Sequence, residues 1–90
     1  MNRLAPIDLE IMCVLLSRKA HKEAISLTSV ELGEIIGYSQ QSTNRNLIEL
    51  DEDGIVERTK GKIHRPLIKL TEKGVKMLKD LADEIYKGLA

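Results

Sequence analysis

The sequence has 90 residues, of which 42% are apolar and 31% are charged, and its formal net charge is zero. A chain of this length buries enough surface for one small core, so we expect residues 1–90 to form a single domain. The composition excludes a disordered chain and a membrane-spanning one. The zero net charge argues against an indiscriminate nucleic-acid coat, so any basic surface must be local.

The cysteine content and the N-terminus indicate the compartment. Cys13 is the single cysteine and lies in the apolar run 11–16, where we expect a buried thiol with a structural role. One cysteine excludes an internal disulfide and fits the reducing cytoplasm. Because the sequence shows neither a secretory leader nor an apolar run of membrane-spanning length, we expect a cytoplasmic protein with no membrane partner.

The first part of the chain predicts two helices with a short strand between them. Pro6 suits a first helical turn, and apolar residues at helical spacing continue the first helix to about Ala20. The alternating stretch 24–27 predicts a brief strand that pairs with a later hairpin. Thr28 or Ser29 caps the second helix, in which we expect a buried face and a glycine stop: Val30, Leu32, Ile35, Ile36 and then Gly37.

A third helix follows a two-residue turn. Ser39 is its expected N-cap, and Thr43, Leu47 and Leu50 recur at spacings of four and three, which predicts the face that packs on the second helix. The spacing places five residues on the outside, namely Gln40, Gln41, Asn44, Arg45 and Ile48.

The remainder predicts a hairpin and a final helix. Residues 55–56 begin a strand, Gly61 lies in the loop, and the return strand contains Pro66, which we expect at a sheet edge. Thr71 caps a helix over about 72–87. Its narrow apolar seam either covers the first helix or forms a dimer contact, and consists of Val75, Leu78, Ala82, Ile85 and Leu89.

This order of elements predicts a mainly α fold with a small β-hairpin: a helix-turn-helix over about 28–53 followed by a wing over about 55–70. Gln and Asn can bind adenine through two hydrogen bonds, and Arg can bind guanine in the same way. Gln40, Gln41, Asn44 and Arg45 are therefore candidates to read base edges in a DNA major groove. The hydroxyls of Ser39 and Ser42, at the start of the third helix, suit a phosphate.

Charge is segregated along the chain. Five cations and no acid occur between residues 58 and 69, whereas acids collect at 49–53, where the third helix ends. Such segregation is typical of a protein that binds through one face. We expect the wing residues Lys60, Lys62, His64 and Arg65 to contact the DNA backbone or a minor groove.

The inventory of reactive groups predicts that the chain is not an enzyme and uses no cofactor or metal. His21 and His64 are far apart in the sequence, and neither a phosphate-binding glycine loop nor a metal-spaced cluster occurs. We expect His21 at the end of the first helix. Two tyrosines and no other aromatic residue leave no stacking platform for single strands, which disfavours RNA.

Several short motifs resemble the N-terminal winged-helix domain of archaeal CTP-dependent riboflavin kinases. They are the segment 29–33 with Glu31, Leu32 and Gly33, the run Gly37-x-Ser39-Gln40-Gln41-Ser42-x-x-Arg45, and the pair Gly54-Ile55 with Arg58. The element Leu70-Thr71-Glu72-Lys73-Gly74 is shared more widely with MarR-like regulators. Asn46 departs from the riboflavin-kinase resemblance, because an apolar residue is expected at this position.

The resemblance implies Gln40, Gln41 and Arg45 as DNA readers. Three alternatives stay open: a domain of a longer parent protein with a kinase domain, a stand-alone regulator, or a member of another winged-helix family. None of the kinase's functional residues can be carried over. We therefore expect a homodimeric, sequence-specific regulator that binds double-stranded DNA, with riboflavin-pathway genes as the targets that the resemblance implies. The alternative is a winged-helix module that docks another protein through its third or last helix.

Overall fold

The computed structural model describes residues 4–89, except for the side chain of Lys62, and has four α-helices and a three-stranded antiparallel sheet within that range. The elements are α1 (Pro6–Ser17), β1 (Ile25–Ser26), α2 (Ser29–Ile36), α3 (Gln40–Glu52), β2 (Val56–Lys60), a 3-10 turn (Lys62–His64), β3 (Pro66–Leu70) and α4 (Glu72–Leu89). The predicted mainly α fold with a small hairpin is confirmed.

Local capping defines where α2 begins and ends. The Glu31 amide donates to Thr28 Oγ1 at 3.1 Å, and the Thr28 amide donates to Glu31 Oε1 at 3.2 Å, so both orphan donors are satisfied. The hydrogen bond from the Thr28 backbone is the main reason that the pKa of Glu31 lies below its usual value. Gly37 ends the helix with φ at 78°, a left-handed conformation that glycine adopts without a Cβ clash.

The helix-turn-helix is tight because a glycine lies at its crossing. A Cβ on the buried Gly33 would lie 2.8 Å from the carbonyl oxygen of Tyr38 and 3.1 Å from Thr43 Oγ1. The Thr43 hydroxyl itself donates to the carbonyl oxygen of Ser39 at 2.8 Å. The turn and the first part of α3 are therefore held directly against α2.

The sheet has the order β1-β3-β2, which corrects the predicted place of Pro66. We expected an outer strand, but β3 is central: β1 pairs with it through Ile25 and Ile68, and β2 pairs along its other side. Pro66 is tolerated because it is the first residue of β3, and its carbonyl oxygen accepts from the Leu27 amide at 3.3 Å. The predicted pairing of 24–27 with the wing is seen in two residues.

The core corrects two predictions of burial. Cys13 is exposed, because α1 buries Ile7, Ile11 and Leu15 on the opposite side of the helix. On α2, Val30 and Ile35 are each 44% exposed, whereas Leu32 is buried and Ile36 is half-buried. Because α2 has eight residues and packs on α1 and α3, it buries only a narrow stripe of its surface. Val30 and Ile35 lie on either side of that buried stripe.

A buried polar pair connects α1 to α3. Asn46 Nδ2 donates to Asp8 Oδ1 at 2.8 Å, while Asp8 Oδ2 accepts from the Ala5 amide at 2.9 Å. Asp8 is 3% exposed and Asn46 is 9% exposed. The polar residue at position 46 thus has a specific partner, and this contact fixes α3 against α1.

We expect Asn46→Ala to lower the free energy of unfolding by about 1–3 kcal/mol, because it leaves a buried carboxylate without its side-chain donor. Chemical denaturation would measure the loss. In a double-mutant cycle with Asp8→Ala, the two losses should sum to more than the loss of the double variant. Additive losses would show that the pair contributes no coupling.

The last helix covers the core with only part of its apolar seam. Val75 and Leu78 pack against the core, whereas Ile85 is 56% and Leu89 77% exposed. Thr71 Oγ1 caps α4 by accepting from the Gly74 amide at 3.2 Å. Among the helices of residues 4–89, none combines the length and apolar character that a membrane span requires.

Candidate nucleic-acid interface

Helix α3 has a buried inner face and a polar outer face. Thr43, Leu47 and Leu50 are buried as predicted, and Asn46 joins them on this inner side. Gln40, Gln41 and Arg45 are exposed, and Asn44 is half-buried. The spacing of four residues between Gln41 and Arg45 places both on the same side of the helix, one turn apart.

The start of α3 presents free backbone donors. Ser39 Oγ accepts from the Ser42 amide at 3.2 Å and donates to Ser42 Oγ at 3.1 Å, so the two serine hydroxyls bond to each other. The backbone amides of Gln40 and Gln41 lie in the first turn, where a helix provides no carbonyl oxygen to accept from them. The helix dipole also favours an anion at this end. This end of α3 therefore presents the backbone donors and the positive dipole end that phosphate groups favour.

The far end of α3 has the opposite charge. Glu49, Asp51 and Glu52 are exposed in its last turns. An anionic partner is therefore repelled from the C-terminal half of α3 and attracted to the N-terminal half, where Arg45 lies. Within the described residues, no ion pair engages the Arg45 guanidinium.

The hairpin β2–β3 carries the exposed Lys60, His64 and Arg65. The predicted contact of Lys62 concerns a side chain outside the described residues; its backbone lies in the turn at the tip. Arg65 does not point freely from the tip, because its Nε donates to Ser26 Oγ on β1 at 2.9 Å. After the hydrogen bonds with Thr28, the charge of Arg65 is a smaller cause of the lowered pKa of Glu31 on α2.

A groove separates α3 from the wing, and it adds a residue that the sequence-based site did not include. Arg58 on β2 is half-buried and lines this groove with Leu47, Asp51 and Lys60. Arg58 belongs to the basic segment 58–69, but the sequence does not show that it faces α3. The hairpin register and the end of α3 together place it there.

The two histidines lie in different parts of the fold. His64 is in the wing turn, whereas His21 lies in the turns after α1 has ended at Ser17. His21 Nδ1 is buried and has no hydrogen-bond partner among the described residues. No group of three or more His, Cys, Asp or Glu residues within the range 4–89 is arranged to hold a metal ion.

Comparison with known proteins shows two kinds of relative. No family model matches the chain. The riboflavin kinase of Pyrococcus furiosus is 29% identical over 86 residues, which is 91% of this chain and 40% of that protein. The riboflavin kinase of Archaeoglobus fulgidus is 36% identical over 70 residues, 78% of this chain and 30% of that protein.

A solved structure has a similar fold. The crystal structure of the M. tuberculosis transcriptional regulator MosR aligns with a TM-score of 0.76 and 28% identity, over 96% of this chain and 58% of that chain. The hairpin, the capped helix pair and this likeness together show that the chain has the winged-helix fold.

These relatives overturn the expectation that the chain is not an enzyme. Five curated relatives match it at moderate identity, and all are riboflavin kinases. The chain is therefore related to an enzyme, a relationship that its inventory of reactive groups did not indicate. The chain spans between 23% and 40% of the length of these relatives.

Proposed function

We propose that the chain is a sequence-specific, double-stranded DNA-binding regulator of transcription that works through α3 and the wing. The observation that supports this most is the polarity of α3. Its inner face is buried, and its N-terminal outer face presents Gln41 and Arg45, with no ion pair to Arg45 among the described residues. Exposed amide and guanidinium groups on a rigid helix suit base edges in a major groove. The likeness to a transcriptional regulator supports the same reading.

In this proposal the N-terminal half of α3 enters the major groove. Gln40, Gln41, Asn44 and Arg45 read bases, while Ser39, Ser42 and the first-turn amides bind the adjacent phosphate. The wing binds the flanking backbone, and the groove residue Arg58 lies between the two contacts. The wing residues assigned to this role are Lys60, Lys62, His64 and Arg65.

The relationship to riboflavin kinases extends the proposal. We place the domain in a longer protein joined to a kinase domain, and we place its targets near genes of the riboflavin pathway. The basis is that the curated relatives are riboflavin kinases more than twice as long as the chain. Mapping genome-wide binding in the native organism tests the assignment, because sites scattered away from such genes would contradict it.

An ionic-strength series separates DNA binding from the competing function, protein docking. Each phosphate contact releases condensed counterions, so the logarithm of affinity for random duplex DNA should fall with the logarithm of salt at about 0.9 per contact. Phosphate contacts by Arg58, Lys60, Lys62 and Arg65 predict a slope of roughly −3 to −4. A slope near zero, or no binding at low salt, would contradict the proposal and favour docking of a protein.

We also propose a twofold dimer through the exposed end of α4. Ile85 and Leu89 lie on one side of the helix, and Lys87 lies on the other. We expect Ile85→Glu to shift the chain to monomer in light scattering, because it places a charge in the seam, and to reduce preference for inverted repeats. The control Lys87→Glu should leave the dimer intact. A wild-type chain that stays monomeric at high concentration, alone and on DNA, would contradict the dimer.

A further inference from the structure

The tip of the wing carries an apolar residue in an unfavourable backbone conformation. Ile63 is 90% exposed, the largest exposure among the large apolar residues of the described chain. Its φ is +60°, and the next residue, His64, has a φ of +55°. A β-branched side chain is uncommon in this left-handed region, where glycine or asparagine fits without strain.

Neither feature contributes to the fold of the isolated domain. Ile63 is not part of the hydrophobic core or of the residues packed against it. Exposing an isoleucine and holding it at positive φ both disfavour the folded state, and such strain clusters at functional sites. A partner that covers Ile63 would offset both costs.

The surroundings of Ile63 indicate what that partner is. Lys60 precedes the turn and Arg65 follows it, with the Arg65 guanidinium anchored to Ser26 on β1, and the segment 58–69 has no acid. By contrast, the exposed apolar end of α4 follows Asp83 and Glu84 directly in the sequence. An apolar side chain framed by cations suits the strongly negative minor groove of DNA better than an apolar protein surface.

The reach of the hairpin agrees with this partner. Five residues in each strand extend the wing by about 17 Å at roughly 3.3 Å per residue. Half a turn of DNA, about 17 Å, separates the major groove from the neighbouring minor groove along the axis. With α3 in the major groove, the tip therefore reaches the adjacent minor groove.

We propose that Ile63 is an apolar wedge that the wing inserts into the minor groove of double-stranded DNA beside the site read by α3. The inference rests on the proposed function. Insertion buries the exposed side chain against sugars and base edges and is easiest at flexible pyrimidine–purine steps. The wing then contributes a preference for deformable flanking sequence, and it bends the duplex toward the major groove.

Two substitutions of similar size test the wedge. Both Ile63→Asn and Ile63→Leu remove the β-branch, and asparagine is well tolerated at positive φ, but only leucine keeps the apolar surface. We expect Ile63→Leu to bind a duplex with a flanking TA step as the wild type does. Ile63→Asn should bind it about tenfold more weakly, because the transfer of apolar surface out of water is lost.

The melting temperature and the shape of the DNA provide the readouts that a purely structural role would not give. Ile63→Asn should melt at or slightly above the wild-type temperature, and it should reduce the bend measured by energy transfer between the duplex ends. Lys19→Gly, which relieves a φ of +63° at a position after α1, should leave affinity and bend unchanged.

Equal affinity and equal DNA bend for Ile63→Asn and Ile63→Leu would overturn the proposal that Ile63 inserts into the minor groove. The proposed function would stand in that case if Arg45→Ala still loses selectivity. A loss of binding accompanied by a large fall in melting temperature would also overturn it, because Ile63 would then support the fold. A wild-type chain that fails to bind any duplex would overturn both the wedge and the proposed function.

Discussion

Replacing Arg45 by alanine is expected to weaken binding to the preferred DNA site by about tenfold to a hundredfold and to relax the preference at one base pair. Arg45 is exposed on α3, and the described residues provide no ion pair for it. A guanidinium in this position can donate to O6 and N7 of guanine, and alanine cannot. Gln41→Ala should have the same kind of effect at a neighbouring base pair, with adenine as the expected partner.

Selection of preferred sequences from a random duplex pool, followed by affinity measurements on single-base variants, would measure this change. Affinity for unrelated DNA should barely move, because the phosphate contacts remain. Lys79→Ala, which removes an exposed cation from α4, is the matched control and should leave both quantities unchanged. If the Arg45 and Gln41 variants keep wild-type selectivity, α3 is not the element that reads DNA.

Replacing Lys60 and Arg65 by glutamine is expected to weaken binding to all sequences alike. The log-log salt dependence should become shallower by about two, near 0.9 for each lost phosphate contact. We expect a large loss of affinity because charge is segregated along the chain. The acids at the end of α3 repel DNA, so the wing is the main source of electrostatic attraction next to them. An unchanged slope in the double variant would show that the wing does not touch DNA.

Ser26→Ala separates charge from positioning in the same assay. Ser26 Oγ accepts from Arg65 Nε at 2.9 Å, so this variant removes the anchor of the guanidinium but keeps its charge. We expect the salt slope to stay at its wild-type value, with a small loss of affinity from the greater freedom of Arg65. A slope that falls by one would mean that the anchor is needed for the phosphate contact.

The features that sequence predicts well here depend on neighbours along the chain. The capping box of Thr28 with Glu31 joins residues three apart, and Ser39 caps α3 over the same distance. The inner and outer faces of α3 follow from helical periodicity, which is also local. For that reason Gln41 and Arg45 could be assigned to the outer face from the sequence.

The features that sequence missed depend on distant partners. Asn46 is buried because Asp8, 38 residues away, accepts its hydrogen bond. Pro66 lies in a central strand because β1 pairs with β3 and not with β2; the alternation in 24–27 predicts a strand that joins the hairpin but does not specify which of its two strands it joins. Cys13 is exposed because the apolar run 11–16 passes around the whole of α1.

Two residues of the candidate site escaped sequence reasoning for similar reasons. Arg58 faces the groove beside α3 only because of the register of the hairpin. Ile63 is exposed because the turn places it at positive φ, a conformation that its residue type does not indicate. The relationship to riboflavin kinases, by contrast, is visible in short motifs such as the run from Gly37 to Arg45, although the reactive groups of this chain carry no sign of it.

Backbone amide shifts of the isotope-labelled chain, titrated with its preferred duplex, would show directly whether α3 and the wing bind DNA. We expect the largest shift changes in the first half of α3 and in the wing, with the turn that contains Ile63 among them. The exposed end of α4, around Ile85 and Leu89, should change little unless the oligomeric state changes. Shift changes concentrated on α4, with none in α3, would contradict DNA binding through α3 and the wing.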